Sequence, residues 1–387
     1  MQLRPEITGV PESPLVQIAT VAEAMPGAIK LCYGEPDLPT PEFICRAANE
    51  AALGGHTFYT HTAGYSALRE AITEKIRDLH DVSYTPDEIM TSVGGSMAIY
   101  SAIRACVGAG DNAVVITPAY AIFANGVRMS GGEVRAVPLA RDGARFCLDL
   151  DRVRRAMDER TRMIVVNSPS NPTGWIIDAH EQHALYQLAA EFDAVLLADE
   201  VYERLAFDEL IAPSFARIAD DRENLIVINS FSKTYNMTGW RLGWAQANAS
   251  LIRAMTSSVE FMTSNAAAMV QQAGIVALRD GEPHVRELRA HYAARRAQVM
   301  DALGSMPCVS LPAPAGAFYA FARIEGLDDS AAFTMRLLRQ RGLALAPGSA
   351  FGEGGEGHVR LCFASTEGTL ARALDRLRDF MATAPLA

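Results

Sequence analysis

An α/β fold with a mostly parallel, doubly wound sheet is predicted for this 387-residue chain by three observations. Short apolar runs alternate with helical patterns through the middle of the chain, and alternating β and α segments imply parallel strands with helices on both sides. Most of the runs are nearly continuous in apolar residues, the habit of strands covered on both faces. Composition is that of an ordinary globular protein, 49% hydrophobic and 21% charged, with length enough for two or three domains.

The elements follow in order. Thr40 before Pro41 reads as a helix N-cap with proline at the first helical position, leading into EFICRAANEAAL and stopping at Gly54-Gly55. A second helix is expected from about Tyr65 to Leu79, where Leu68, Ile72, Ile76 and Leu79 form one apolar stripe. Strand-like runs then occur at 89–93, 113–117, 134–139, 163–167, 194–198 and 225–229, with helices such as 96–107 and 178–192 between them. After Asn265 the texture changes to long Ala- and Arg-rich helices near 266–279 and 284–304. The segment VSLPAPAGAFYAFARI, a helix near 330–341, the strand HVRLCFA and a closing helix follow. A boundary is expected within 280–300, giving a large unit over 46–285 and a smaller one formed by 1–45 with 286–387. The first 45 residues are too few to fold alone.

Several function classes are disfavoured at once. The net charge of −10 does not suit a phosphate-backbone binder, so no nucleic-acid partner is expected. No apolar run is long enough to span a bilayer, and the first residues, MQLRPEITGVPESP, lack a signal-peptide core. Six scattered cysteines without a CxxC pair read as reduced thiols of a cytoplasmic enzyme.

Ligands of open parallel sheets bind beyond the carboxyl ends of the strands, so each strand is followed into its turn. After the first run come Gly94-Gly95-Ser96 and a helix, where close backbone approach and the helix N-terminus favour an anion. Taken alone, such a turn is more often a plain connection. The run ending at Asn167 opens into SPSNPTG, a turn able to hold the Asn171 amide towards a ligand and equally able to be an ordinary turn. Asp199 and Glu200 end the next strand. A carboxylate there is costly unless it meets a cation, though an Asp can also cap the following helix. Tyr202 lies three residues on. The last run opens into Ser230-Phe231-Ser232-Lys233, with Arg241 nearby. Partial desolvation would lower the lysine pKa and make it a nucleophilic amine and base, and Arg241 with the two serines looks like a phosphate clamp.

Five segments stand in register: GGS (94–96), NSPSNPTG (167–174), ADEVY (198–202), SFSKTYNMTGWRLG (230–243) and VRLCFA (359–364). Together they resemble the class I pyridoxal-phosphate-dependent aminotransferases of fold type I, in the branch of bacterial aspartate and aromatic aminotransferases. The resemblance runs from LCYGEPDLPTP (31–41) to the last helix. It implies a large domain with a mostly parallel seven-stranded sheet, a small α+β domain, and pyridoxal 5'-phosphate as cofactor. By the same resemblance Lys233 is the Schiff-base lysine and proton carrier, Asp199 pairs with the pyridine nitrogen, and Tyr202 and Asn171 bond the 3′ oxygen. Gly95, Ser96, Ser230, Ser232 and Arg241 would hold the phosphate, and Tyr120 would stack on the ring. Arg360 would grip the substrate α-carboxylate, with Gly34 opposite, and Tyr59 would reach the phosphate of the neighbouring subunit in a homodimer. The reaction implied is ping-pong exchange of an amino group between an amino acid and a 2-oxo acid, with aspartate or an aromatic amino acid as the donor. Tyr33, an aromatic where many relatives carry an aliphatic residue, points to aromatic or other bulky donors.

Other readings fit less well. Ser230-Phe-Ser-Lys233 matches S-x-x-K, but no S-D-N accompanies it. Gly352-x-Gly354-x-x-Gly357 precedes a strand rather than a helix, against a dinucleotide fingerprint. His180 and His183 beside Glu181 lack a third ligand, so no metal site is expected. A β-lyase or desulfhydrase shares the cofactor motifs and would release pyruvate without a 2-oxo acid co-substrate. A non-catalytic regulator on this fold would carry a basic DNA-binding module, and none precedes residue 30.

Overall fold

The computed structural model describes residues 3–142, 145–218 and 222–383. Seven strands form the central sheet: β1 (Ile89–Ser92), β2 (Asn112–Thr117), β3 (Glu133–Pro138), β4 (Thr161–Asn167), β5 (Val195–Asp199), β6 (Leu225–Ser230) and β7 (Gly243–Ala247). Their order across the sheet is β1-β7-β6-β5-β4-β2-β3. All neighbouring pairs are parallel except those of β7, which runs antiparallel to both β1 and β6. The six apolar runs are strands, each within a residue or two of its expected bounds.

β7 is the strand that the periodicity does not reveal. Its residues, GWAQA, carry no β-branched side chain, and all five are buried. What makes it a strand is its place: Gly243 pairs with Ser92 on one side and Ser230 on the other. A Cβ at Gly243 would come within 2.6 Å of Gly95 N, so only glycine lets β1 and β6 close around this point. β7 thereby brings the turns after β1 and β6 together.

Successive strand residues face opposite sides. Val114, Ile116, Ile164, Val166, Leu196 and Val227 pack on one face with Leu185 and Leu188 of the helix Ala179–Glu191. Val115, Met163, Val165, Leu197, Ile226 and Ile228 pack on the other, with Ile99 and Ile103 of the helix Gly95–Cys106. Each such side chain contributes about 1.5–3 kcal/mol when fully buried, so two covered faces explain the continuous apolar runs. Asp178 caps the helix on the first face by accepting from Glu181 N, and Glu181 Oε2 in turn accepts from Asp178 N.

Two local expectations change. The helix after Pro41 spans Glu42–Leu53, with Pro41 itself at the cap. Thr40 does not cap it: its hydroxyl donates to Asn236 O and accepts from Trp240 Nε1, tying the N-terminal segment to the loop after Lys233. The next helix, Ser66–His80, buries Leu68, Ala71, Ile72 and Ile76, but its last buried position is His80 rather than Leu79. His80 Nε2 lies 3.0 Å from Glu203 Oε2, and this partner lets an imidazole occupy a core position.

The chain after 281 forms the long helix Glu282–Gly304, the helices Ser330–Arg341 and Glu367–Thr383, and a second, four-stranded sheet. Tyr319–Ile324 and His358–Cys362 are its central antiparallel pair, with Phe321 opposite Arg360 and Tyr319 opposite Cys362. The N-terminal segment joins this part: Ile29–Lys30 pairs in parallel with Leu343–Ala344. No helix among the described residues is long and apolar enough to cross a membrane, and no cluster among them could hold a metal. His183 instead lies beside Gln187 on an exposed helix face.

Candidate active site

The carboxyl ends of β1, β4, β5 and β6 open onto a cavity of about 300 Å³, closed on its other side by the 33–34 segment, Tyr319 and Arg360. Gly34, Gly95, Ser96, Tyr120, Asn171, Asp199, Tyr202, Ser230, Ser232, Lys233, Arg241 and Arg360 all line it. Tyr59 does not. Its side chain is 89% exposed, on a loop away from this cavity.

Strand alternation decides which carboxylate serves the site. Asp199, the last residue of β5, faces the cavity, while Glu200 turns away and accepts from Ser214 Oγ at 2.6 Å and Phe215 N at 2.7 Å. Asp199 Oδ1 accepts from Val201 N at 3.2 Å, and no α-helix follows for it to cap. Burial pushes its carboxyl up to about 7, against the opposing pull of the Val201 amide and the Lys233 charge.

Lys233 sits in the one-turn helix Phe231–Thr234, whose start is capped by Ser230 Oγ accepting from Ser232 N. Its Nζ donates to Gly34 O at 2.5 Å and lies over the rings of Tyr202 and Phe318, at 5.8 and 5.6 Å from their centroids. Desolvation lowers its pKa to about 8, and the positive charges of Arg360 and Arg241 act in the same direction. About half of the amine is therefore neutral near pH 8, as a nucleophile requires.

Two guanidinium groups reach the cavity with no carboxylate within salt-bridge distance among the described residues. Arg360 is 2% exposed. It donates to Asn171 Oδ1 at 2.8 Å and to Cys32 O, lies 4.5 Å above the Tyr319 ring, and keeps a buried Nε without a partner. A buried cation held only by neutral acceptors and a ring calls for an anion. Arg241 adopts a left-handed backbone (φ 56°) that turns its side chain back over Gly94, and its Nη1 donates to Thr238 O. A Cβ at Gly94 would lie 2.3 Å from Arg241 Nη2, so this approach requires glycine. Beside it are the first turn of the helix Gly95–Cys106 and the Ser230 and Ser232 hydroxyls, 2.9 Å apart. Helix N-terminus, hydroxyls and guanidinium together form a seat for a phosphate-like dianion.

Sequence reasoning did not single out two further residues. Asn167, at the end of β4, donates from Nδ2 to Asp199 O and accepts at Oδ1 from Asn171 N, locking the turn that presents Asn171 against the end of β5. Tyr319 is fully buried, with its hydroxyl 2.7 Å from that of Tyr202. Asn167 was within reach as the first residue of the Asn-Pro turn; nothing local marked Tyr319, which reaches the site from another sheet.

A doubly wound sheet presenting an amine of lowered basicity, a buried carboxylate and two separate anion seats defines an enzyme that handles amino groups. Comparison with known proteins specifies it. Residues 26–377 match the family model described as aminotransferase class I and II. The chain is 34% identical to the aspartate aminotransferase of Pyrococcus abyssi over 95% of both proteins. It is 32% identical to aromatic-amino-acid aminotransferase 2 of Thermococcus litoralis over 98% of both. The structure of Thermus thermophilus aspartate aminotransferase with maleate superposes with a TM-score of 0.92 at 34% identity, covering 98% of this chain and 99% of that one. The chain belongs to the aminotransferase class I and II family.

Proposed function

We propose that this aminotransferase uses pyridoxal 5'-phosphate to exchange an amino group between an amino acid and a 2-oxo acid by a ping-pong route, with Lys233 as its catalytic amine. The observation that carries this reading is one cavity in which a lysine of lowered pKa and a buried carboxylate meet two guanidinium groups without acid partners. The residues fit the cofactor: Gly95, Ser96, Ser230, Ser232 and Arg241 for the phosphate, Asp199 for the ring nitrogen, Asn171 and Tyr202 for the ring oxygen, and Tyr120 as a ring to stack on. When bound, the cofactor supplies an aldehyde that condenses with amines and a ring that accepts the electrons released at the substrate α-carbon. Arg360 binds the substrate carboxylate through its fork and fixes the α-carbon near Lys233. The Lys233 amine then takes the α-proton as general base and returns it as general acid. Asp199 holds a proton on the ring nitrogen, which gives its buried negative charge a partner.

Leu15, Tyr33 and Ile99 are apolar or aromatic residues of the cavity wall and would face the donor side chain. Tyr33 lies between Cys32, whose carbonyl holds Arg360, and Gly34, whose carbonyl holds Lys233, and it lines the same cavity. Tyr33 Oη donates to Glu23 Oε1 at 2.7 Å, placing an acid at the same margin. Tyr33 in the cavity wall, with Glu23 bonded to its hydroxyl, favours bulky neutral donors, phenylalanine or leucine, over aspartate. A donor–acceptor panel with purified protein and added cofactor tests both levels. Formation of 2-oxo acid beyond one equivalent per active site only when an acceptor is present supports transamination; repeated turnover to pyruvate with free ammonia or sulfide and no acceptor would replace it with elimination, and a strict aspartate preference would remove the neutral-donor assignment. Arg360→Leu is expected to lower kcat/KM by roughly 10²–10³, as loss of a charged hydrogen-bonded pair does, with cofactor uptake retained in a fluorescence titration.

A homodimer is part of the proposal. Leu53, Phe58, Tyr59 and Phe261 are 79–89% exposed. The loop carrying Phe58 and Tyr59 is tied to the 261–266 segment through Gln271, which donates to Thr60 Oγ1 and Ala266 O. These apolar side chains thus share one region of the surface, suited to a second copy of the chain, and Tyr59 would reach that copy's site. Phe58→Asp should convert the dimer to monomer in sedimentation velocity and lower activity with it. The division into 46–285 and 1–45 with 286–387 is supported by the pairing of Ile29–Lys30 with Leu343–Ala344. Six free cysteines suit a reducing, cytoplasmic setting.

A further inference from the structure

Tyr202 and Tyr319 reach the cavity from different parts of the fold. Tyr202 follows β5 of the large sheet, and Tyr319 begins the strand that pairs with the strand of Arg360. Their hydroxyls are 2.7 Å apart, their rings pack edge-on with centroids 5.7 Å apart, and both residues are buried. Tyr319 also touches the rest of the substrate seat. Its ring lies under the Arg360 guanidinium at 4.5 Å, and its hydroxyl fills the space where a Cβ of Gly34 would come within 2.2 Å. One side chain therefore meets the tether of Lys233, the carboxylate-binding arginine and the phenol assigned to the cofactor ring oxygen.

A phenol has one proton to donate. A Tyr202 that donates to Tyr319 has none left for a second acceptor. A Tyr202 that accepts from Tyr319 keeps its own proton free and becomes a stronger donor, because the incoming bond polarises its O–H. We propose that Tyr319 is the donor of this pair, a positioning residue that aims the Tyr202 proton at the cofactor ring oxygen while supporting Arg360. The inference rests on the cofactor reading above. The groups facing the pair are Arg360 and Cys362 on the neighbouring strand, Asp199 and Lys233 at the ends of β5 and β6, and Tyr120 after β2. Burial raises both phenols above their ordinary range, so neither ionises near neutral pH and the effect is one of donor strength.

Tyr319→Phe removes one oxygen and keeps the ring under Arg360. A weaker bond from Tyr202 leaves more negative charge on the cofactor ring oxygen and so makes the adjacent imine nitrogen more basic. In the cofactor-loaded variant, the pH midpoint of the visible absorbance is expected to rise by about 0.5 unit or more. The dissociation constant of 3-phenylpropanoate, a carboxylate without an amine, should stay within about twofold of wild type. Tyr319→Leu, which loses the ring as well, should weaken that carboxylate about fivefold or more. A midpoint in Tyr319→Phe that stays at the wild-type value or falls overturns the proposal, including when melting temperature or carboxylate affinity changes. A wild-type protein that develops no visible band with the cofactor defeats the underlying reading instead, which separates the two failures.

Discussion

Replacing Lys233 with alanine is expected to abolish amino-group transfer, by about 10³-fold or more, while leaving the fold intact. The side chain contributes the only amine near the reacting centre among the described residues lining the cavity, and its loss removes both the covalent hold on the cofactor and the proton carrier. The absorbance changes at roughly 360–430 nm that accompany imine formation should disappear with it. Folding should survive because the amine makes one hydrogen bond, to Gly34 O, and leaving it out spares the desolvation that lowers its pKa. The wild-type apoprotein offers a companion test. Since burial brings the amine to about 8, the rate at which it captures the cofactor aldehyde should rise with pH through a midpoint near 8, well below the 10.5 of a solvated lysine. Near-wild-type turnover by Lys233→Ala, measured by 2-oxo acid release, would rule out this lysine as the catalytic amine.

Asp199→Asn should separate activity from stability. Asparagine cannot hold a proton on the ring nitrogen by charge, and a loss of about 10³-fold in kcat is expected. The apoprotein should respond in the opposite sense. Folding raises this carboxyl from 3.8 to about 7, so between those values the folded state binds more protons than the unfolded one and stability falls as pH rises. Above pH 7 the whole cost is present. A shift of roughly 3 units at 1.36 kcal/mol each is about 4 kcal/mol. Well below pH 3.8 the cost is absent, since Asp199 is then protonated in both states. The Asp199→Asn apoprotein should therefore be more stable than wild type by a few kcal/mol at pH 8 in urea unfolding, with the gain shrinking towards pH 4. A variant as unstable as wild type at pH 8 would mean that Asp199 already has a charge partner in the apoprotein. The natural residue is kept at a cost to the empty protein, as expected of a group selected for the loaded one.

How legible each part was in the sequence follows from where its physical cause lies. β2, β4, β5 and β6 are read directly, because continuous Val, Ile and Leu runs have one explanation in a chain of this size: burial on both faces. The turns at their ends are equally local. Lys233, Asp199, Asn171 and Gly94-Gly95 each stand at a fixed offset from a strand, and the rule that ligands gather at strand carboxyl ends assigns them to one place without knowledge of strand order. β7 escapes because GWAQA has no strand signature; it is held there by two neighbouring strands and by the absence of a side chain at Gly243. Thr40 looks like a cap and is instead a hydrogen-bond bridge to residues almost 200 positions away, a choice that local preference cannot encode. Leu79 and His80 change places in the core because Glu203, from the far side of the chain, supplies a partner for the imidazole.

What the amino-acid order alone determined is the set of reactive groups and the α/β scaffold that carries them, because propensity, hydrophobic pattern and turn chemistry act over a few residues. Only the tertiary structure decided which of two adjacent carboxylates faces the cavity, that Tyr319 of the second sheet joins Arg360 in completing it, and how far the ionisation of Asp199 and Lys233 departs from water. Those properties depend on burial and on charges brought close by folding, and a Coulomb or desolvation energy is set by distance in space, which separation along the chain does not contain.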